Sequence, residues 1–360
     1  MTSCHFFIAF AILLQTSLAL VEFTSSKLYD EKDLAVQKVS LASFCDVGCR
    51  VYASVPSASA RIAKNIMVQD NTQADKSLFD ISKLSNGEQK SYFAVLAANN
   101  SQVNLVNKNR RYETAPLAVW IVREDADNIG YSSVFEAASL NISSRSLEVV
   151  TVMSAEPFTL RSKTEGPMEI VATMTGFGAL TKSDDECTYV IEKMQPDASS
   201  DIQVNVQSPL ITLFYDDNDF EGSKTSVSAQ VGRGKSLGFS GISFVASPGY
   251  IGCKGGKTFR SSLYGTSTSL KYSDSSKSYD VAVTSFLNTD GSHPVKVKDN
   301  TNRKEYKLFG TTPGQANIQN LSMQQTNNVE ISWSRNSKDQ DQSFLVRLMP
   351  SNEQNRTRFG

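Results

Sequence analysis

Asp201-Ile202-Gln203-Val204-Asn205-Val206 places an apolar side chain at every second position, and Asn328-Val329-Glu330-Ile331-Ser332-Trp333 repeats the pattern. Side chains along a strand alternate between its two faces, so this period of two predicts strands with one face in a core and one in water. Working outward, residues 50–55, 92–96, 117–122, 147–153 and 169–174 are short runs rich in β-branched residues and read as further strands. Only 29–39 and 76–84 carry a pattern for short helices, and 266–278, rich in Ser and Thr, reads as a loop or irregular strand. The expected fold is all-β: antiparallel β-sandwich domains with Greek key connections and few short helices.

At 360 residues, with 40% apolar and 20% charged side chains, the chain can bury a sizeable core. Thirty-six basic against 37 acidic residues give a net charge of −1, which offers no electrostatic reason to expect nucleic acid or an anionic membrane as a partner. The first residues, MTSCHFFIAFAILLQTSLAL, hold an apolar run followed by Ser17-Leu18-Ala19, the layout of a secretory signal peptide over 1–19. The expected order is then a leader at 20–44, an N-terminal β-sandwich domain at 45–162, a polar boundary at 162–167, a C-terminal β-rich region at 165–350 and a flexible tail at 351–360. No later stretch is apolar for long enough to span a membrane, so the mature product is expected to be secreted and extracellular.

Removal of the signal peptide leaves Cys45, Cys49, Cys187 and Cys253, an even number suited to an oxidising compartment. Cys187 with Cys253 and Cys45 with Cys49 are the expected disulfides. Asn99, Asn141, Asn320 and Asn355 each begin an N-x-S/T acceptor for glycan.

Motifs of catalysis are thin. With His5 in the signal peptide, His293 is the one histidine left, too few for a multi-histidine metal site, and it sits in the turn-like Asp290-Gly291-Ser292-His293-Pro294. The spacing Gly-Lys-Ser at 234–236 fits a phosphate loop but lacks a helix start after it, and the acidic run 216–221 suits a solvated tip better than a calcium loop. No catalytic residue, metal ligand or cofactor is assigned. A carboxylate pair for hydrolysis has no fixed spacing and stays open.

Tyr215, Gly222 seven residues on and Ser243 a further twenty-one on form a spacing that resembles the Greek key motif of βγ-crystallins. The resemblance implies a folded hairpin with Gly222 at positive φ, the Tyr215 ring beneath it and the Ser243 hydroxyl tying it down, within a crystallin-like part at 205–288 followed by a terminal β unit. A second motif begins at Tyr250-Ile251, but Cys253 replaces the aromatic and Arg260 the glycine. The acidic calcium ligands of that family are replaced by Gly238-Phe239-Ser240-Gly241-Ile242. Over the whole chain, the leader, CDVGCRVYASVPSAS, EVVTVMSAEPFTL and the closing SFLVRLMP resemble secreted families expanded in nematodes, many with CUB-like β-sandwiches. That implies an extracellular protein linked to intestine or innate defence, with no residue-level site carried over. The expected function is a secreted, non-enzymatic binding or structural protein whose partner is an extracellular protein or glycan; the alternative is a secreted carboxylate-dependent hydrolase such as a glycosidase.

Overall fold

A computed structural model describes residues 21–22, 26–71, 73–84, 102–126, 132–144, 148–165, 169–174, 191–194, 199–216, 224–232, 236–238, 241–250, 259, 262–310, 317–336 and 342–350. The first strands are β1 (Val21–Glu22), β2 (Ser26–Tyr29), β3 (Lys38–Ser40), β4 (Cys49–Ser54), β5 (Ile66–Asp70), β6 (Gln73–Ser77), β7 (Asn104–Asn107) and β8 (Ala118–Arg123), with helices α1 (Ala60–Ala63) and α2 (Leu78–Leu84). Then come β9 (Ser132–Glu136), β10 (Asn141–Ser144), β11 (Val149–Met153), β12 (Phe158–Glu165), β13 (Glu169–Thr173), β14 (Ile191–Met194), β15 (Ser199–Val206), β16 (Leu210–Asp216), β17 (Lys224–Val231), β18 (Ser236–Leu237) and β19 (Ile242–Ala246). The last are β20 (Ser267–Ser273), β21 (Tyr279–Asn288), β22 (Val295–Asp299), β23 (Lys304–Leu308), β24 (Asn317–Thr326), β25 (Asn328–Ser334) and β26 (Ser343–Pro350).

These strands form five sheets: sheet I, β3-β7-β5-β6; sheet II, β1-β2-β8-β4; sheet III, β14-β13-β16-β11-β9; sheet IV, β10-β17-β12-β15-β19-β26-β21-β24; sheet V, β18-β20-β25-β22-β23. The all-β expectation holds, and the ladders are antiparallel except β9 with β11, β15 with β19 and β18 with β20.

Apolar clusters fix how the sheets stack. Ile66 and Leu105 of sheet I meet Val51, Val119 and Ile121 of sheet II. The other face of sheet II, with Tyr52 and Trp120, packs on Val134, Val149 and Leu210 of sheet III. Sheet III turns Val150, Val152 and Leu213 toward Leu160, Val204 and Phe244 of sheet IV, whose far side packs Val283, Phe344 and Val346 on Ile331 and Trp333 of sheet V. The result is a five-layer stack in which the three inner sheets are apolar on both faces. Continuous runs such as Ala118-Val119-Trp120-Ile121-Val122 belong to these inner layers, and period-two runs such as Val295-Lys296-Val297-Lys298 to the outer ones.

Four expectations change. Residues 29–39 are not a helix: the Asp30 carboxylate accepts the N–H groups of Lys32 and Asp33, and Asp33 accepts that of Asp30, which closes a local turn in place of a helical one. Residues 267–273 are a regular strand, with Thr268, Leu270 and Tyr272 buried; small hydroxyl residues had hidden the alternation. Pairing runs through the expected boundary at 162–167, because Ser162 and Thr164 bury their small side chains while Arg161, Lys163 and Glu165 face water from the same strand. Finally, Gln203 and Asn205 are buried rather than solvated, since sheet IV is covered on that side too.

Two-sided burial makes a direct prediction for β26. Phe344 faces the core against sheet V and its neighbour Leu345 the core against sheet III. Phe344→Ala should cost about 3–5 kcal/mol and Leu345→Ala about 2–5 kcal/mol. Denaturant unfolding that found either substitution near neutral would show one face of the strand in water and remove the stack.

Candidate functional site

Polar groups from well-separated segments meet at the seam between sheets II and III. Ser54 closes β4, Glu136 closes β9, and Ser154-Ala155-Glu156 form the turn after β11. The Ser54 hydroxyl accepts the Ala155 N–H at 2.9 Å and donates to Glu136 Oε1 at 2.9 Å. Ser154 accepts the Glu156 N–H on its hydroxyl at 3.1 Å and the Tyr264 hydroxyl on its carbonyl at 2.8 Å, and it donates its own N–H to the Pro209 carbonyl. Tyr264 is buried and packs edge-on against Phe259 at 5.9 Å between ring centroids. A short way along the same seam Tyr52 stacks on Trp120 at 5.2 Å.

Burial sets the electrostatics here. Desolvation pushes the half-buried Glu136 carboxyl from 4.5 up to about 7; the Ser54 hydrogen bond opposes the rise and the charge of Glu156 adds to it. The Tyr264 hydroxyl is pushed up by burial and by the same two glutamates. A carboxyl that exchanges its proton near neutrality, with a second carboxylate felt across the turn, has the properties of a general acid or base. None of these residues was singled out in the sequence. They come from four separated segments, and no spacing rule connects them.

Tyr215, Gly222 and Ser243 do not come together as the crystallin resemblance implies. β16 lies in sheet III and β17 in sheet IV, whereas a hairpin would need the two strands to pair. Tyr215 is buried between those layers with its hydroxyl 2.8 Å from Ser162 Oγ. Ser243 sits on the opposite side of sheet IV, between Ile242 and Phe244, which face sheet III. Gly222 lies outside the described residues. One glycine the local structure requires in this region is Gly241, at φ +67°, where a Cβ would fall on the Asp201 carbonyl oxygen.

Cys45 and Cys49 form a disulfide inside the first core; Cys187 and Cys253 lie outside the described residues, as do Asn99 and Asn355. Asn141 and Asn320 are exposed on β10 and β24. His293 does pair with Asp290, Nδ1 to Oδ1 at 3.0 Å, but its Nε2 faces Asn336 Nδ2 at 3.5 Å and Ser292 gives Asp290 its backbone N–H. With Trp333 Nε1 donating to the His293 carbonyl and Gln342 to Asp290, the group ties a loop to β25 and β26. Ser236–Leu237 is strand, not the helix a phosphate loop needs. Among the described residues no cluster of three or more His, Cys, Asp or Glu could hold a metal ion, and no helix is long and apolar enough to cross a membrane.

No protein-family model and no curated protein matches the chain. Among solved structures it is similar to the CUB1-EGF-CUB2 domain of human MASP-1/3, with 8% identity and a TM-score of 0.24 over 59% of this chain and 94% of that one. The mosquito-larvicidal Cry4Aa toxin from Bacillus thuringiensis has 8% identity and a TM-score of 0.18 over 52% of this chain and 42% of that one. The triple jelly roll protein of an archaeal virus has 9% identity and a TM-score of 0.16 over 90% and 80%.

The seam predicts a pH dependence. Between pH 4.5 and about 7 the folded chain keeps a proton on Glu136 that the unfolded chain has released. The group's contribution is therefore complete below pH 4.5 and lost as pH rises through about 7, a fall of up to about 3 kcal/mol. Glu136→Gln should flatten that part of the curve and make the protein more stable than wild type at pH 8. Urea unfolding at intervals from pH 4 to 8 reads both, and parallel curves for the two proteins would place the carboxyl in water.

Proposed function

We propose that the protein is exported and acts outside the cell as a non-enzymatic binding or structural module, with an extracellular protein or glycan as partner and a role in innate defence. The observation that carries the reading is how the chemically capable side chains are used. His293 and Asp290 are engaged with Asn336, Gln342 and the loop backbone. Buried Asp299 accepts the N–H groups of Thr301 and Asn302, the Thr326 hydroxyl and the Asn302 amide. Such groups hold turns and layers in place, and a rigid layered scaffold suits presentation of loops to a partner. Export is supported by the signal-peptide layout of residues 1–19 and by the Cys45–Cys49 disulfide.

A carboxylate-dependent hydrolase has one observation in its favour, the seam in which Glu136 holds its proton up to about 7 beside the charge of Glu156. Purified protein from a eukaryotic secretory system, probed on glycan and protein arrays and assayed against a panel of glycosides between pH 4 and 8, separates the two. Saturable binding with no turnover is expected, unchanged in Glu136→Gln. Product release that Glu136→Gln abolishes while binding persists would establish the hydrolase and overturn the binding module.

A further inference from the structure

Among the described residues, sheet IV, the largest, ends in two strands that pair on one side only: β10 at one edge and β24 at the other. An open edge presents unpaired backbone N–H and C=O groups and pairs readily with another chain, and folded proteins commonly blunt such edges with charge. Most edges of the other sheets follow that rule. Lys38 stands on β3, Asp75 and Lys76 on β6, Arg50 on β4, and Lys304, Glu305 and Lys307 on β23, whereas the one ionisable residue of β9 is the half-buried Glu136. Strands β1 and β14 also carry charged residues, and β18 is only two residues long. The sequences of β10, NISS, and β24, NIQNLSMQQT, hold no charged residue at all, and β24 is ten residues long.

These two strands share another property. Asn141-Ile142-Ser143 opens β10 and Asn320-Leu321-Ser322 lies within β24, so each uncharged edge carries a glycan acceptor. Both asparagines are exposed, while Ile142 packs on the core between sheets III and IV, and Leu321 on the core between IV and V. An attached sugar would therefore stand in water without disturbing either core.

The surroundings of Asn320 add a second reason. Sheet III does not reach β21 and β24, which leaves Phe286, 37% exposed, and Ile318, 58% exposed, on an open face. Ile318 pairs with Phe286, and Asn320 with Thr284 two residues along on the same face. Residues so placed lie about 7–8 Å apart on the diagonal, within reach of the first sugar of a glycan on Asn320.

We infer that N-linked glycans on Asn141 and Asn320 cover the two uncharged edges of sheet IV, and that the Asn320 glycan also shields the Phe286–Ile318 strip, so that neither edge pairs with a strand of a second copy. The inference rests on export. Charge and sugar do the same work at different edges: each makes close approach of another backbone unfavourable.

The full chain expressed in a eukaryotic secretory system tests it. Glycopeptide mapping of protein from the medium reads occupancy, and light scattering during incubation reads self-association. Both asparagines should carry sugar. Ser143→Ala and Ser322→Ala, which destroy the acceptor sequences and keep the asparagines, should melt as wild type does and associate several-fold faster. Adding Asn320→Lys to Ser322→Ala should restore the slow association, because a lysine blunts the edge in place of the glycan. Secreted protein with sugar on Asn99 or Asn355 and none on Asn141 or Asn320 would overturn the inference and leave export standing. Protein retained in the cell without sugar would overturn export and the inference with it. Equal association of wild type and the two Ser→Ala variants would overturn the protective role even with both sites occupied.

Discussion

The stack depends on the middle of sheet IV being buried on both faces at once. A sheet covered on one face can alternate apolar and polar residues, but one in the middle of a stack must satisfy a core on each side with successive residues. β26 shows the consequence: Phe344, Val346 and Leu348 fill the core against sheet V, while Leu345 and Met349 fill the core against sheet III. Arg347 is the one charge in the strand, and burial lowers the pKa of its guanidinium. Sheets II and III obey the same constraint through β8 and β16, so the four cores form a series in which each sheet is shared by its neighbours.

Much of this was legible in the sequence, though in a misleading form. The strands near 50–55, 117–122, 147–153 and 169–174 appear as expected, within a residue or two at their ends. Val329, Ile331 and Trp333 sit in outer sheet V, where period two does mean one wet face. The same pattern at Ile202, Val204 and Val206 means something else, because the intervening Gln203 and Asn205 are buried. Periodicity reports the contrast between the two faces of a strand, and it cannot report that the polar face has been covered by another layer. The spacing of Tyr215, Gly222 and Ser243 failed for a related reason: it fixes distances along the chain, whereas the change of sheet between β16 and β17 sends Tyr215 and Ser243 to opposite sides of sheet IV.

Stacking also decides what stays exposed. Sheets III and V overlap on the middle of sheet IV but are displaced toward opposite ends. The outer face of β12 and β17 is left to Arg161, Lys163, Glu165 and Lys224, a charged surface suited to water. The matching half-face at β21 and β24 carries Phe286, Thr284, Ile318 and Asn320 instead. The two half-faces are equivalent by geometry and opposite in chemistry. Exposed apolar residues that adjoin an uncharged edge are a liability in solution, and no charged side chain next to them on β21 or β24 offsets it.

The seam at Glu136 follows from the same layering. A carboxyl at the end of an edge strand would ordinarily be solvated and ionised at neutral pH. Here the turn at Ser154-Ala155-Glu156 is fixed by bonds to Ser54, Tyr264 and Pro209, and the packing of sheet II on sheet III withdraws water from the carboxyl that Ser54 holds. One hydroxyl bond recovers only part of what desolvation costs, so the proton stays on to about 7. The titration of Glu136 is thus a property of the junction between two layers more than of its own strand. A change that loosened the packing of Tyr52 and Trp120 along the seam would let water back and return the carboxyl toward its ordinary value, without any substitution at Glu136 itself.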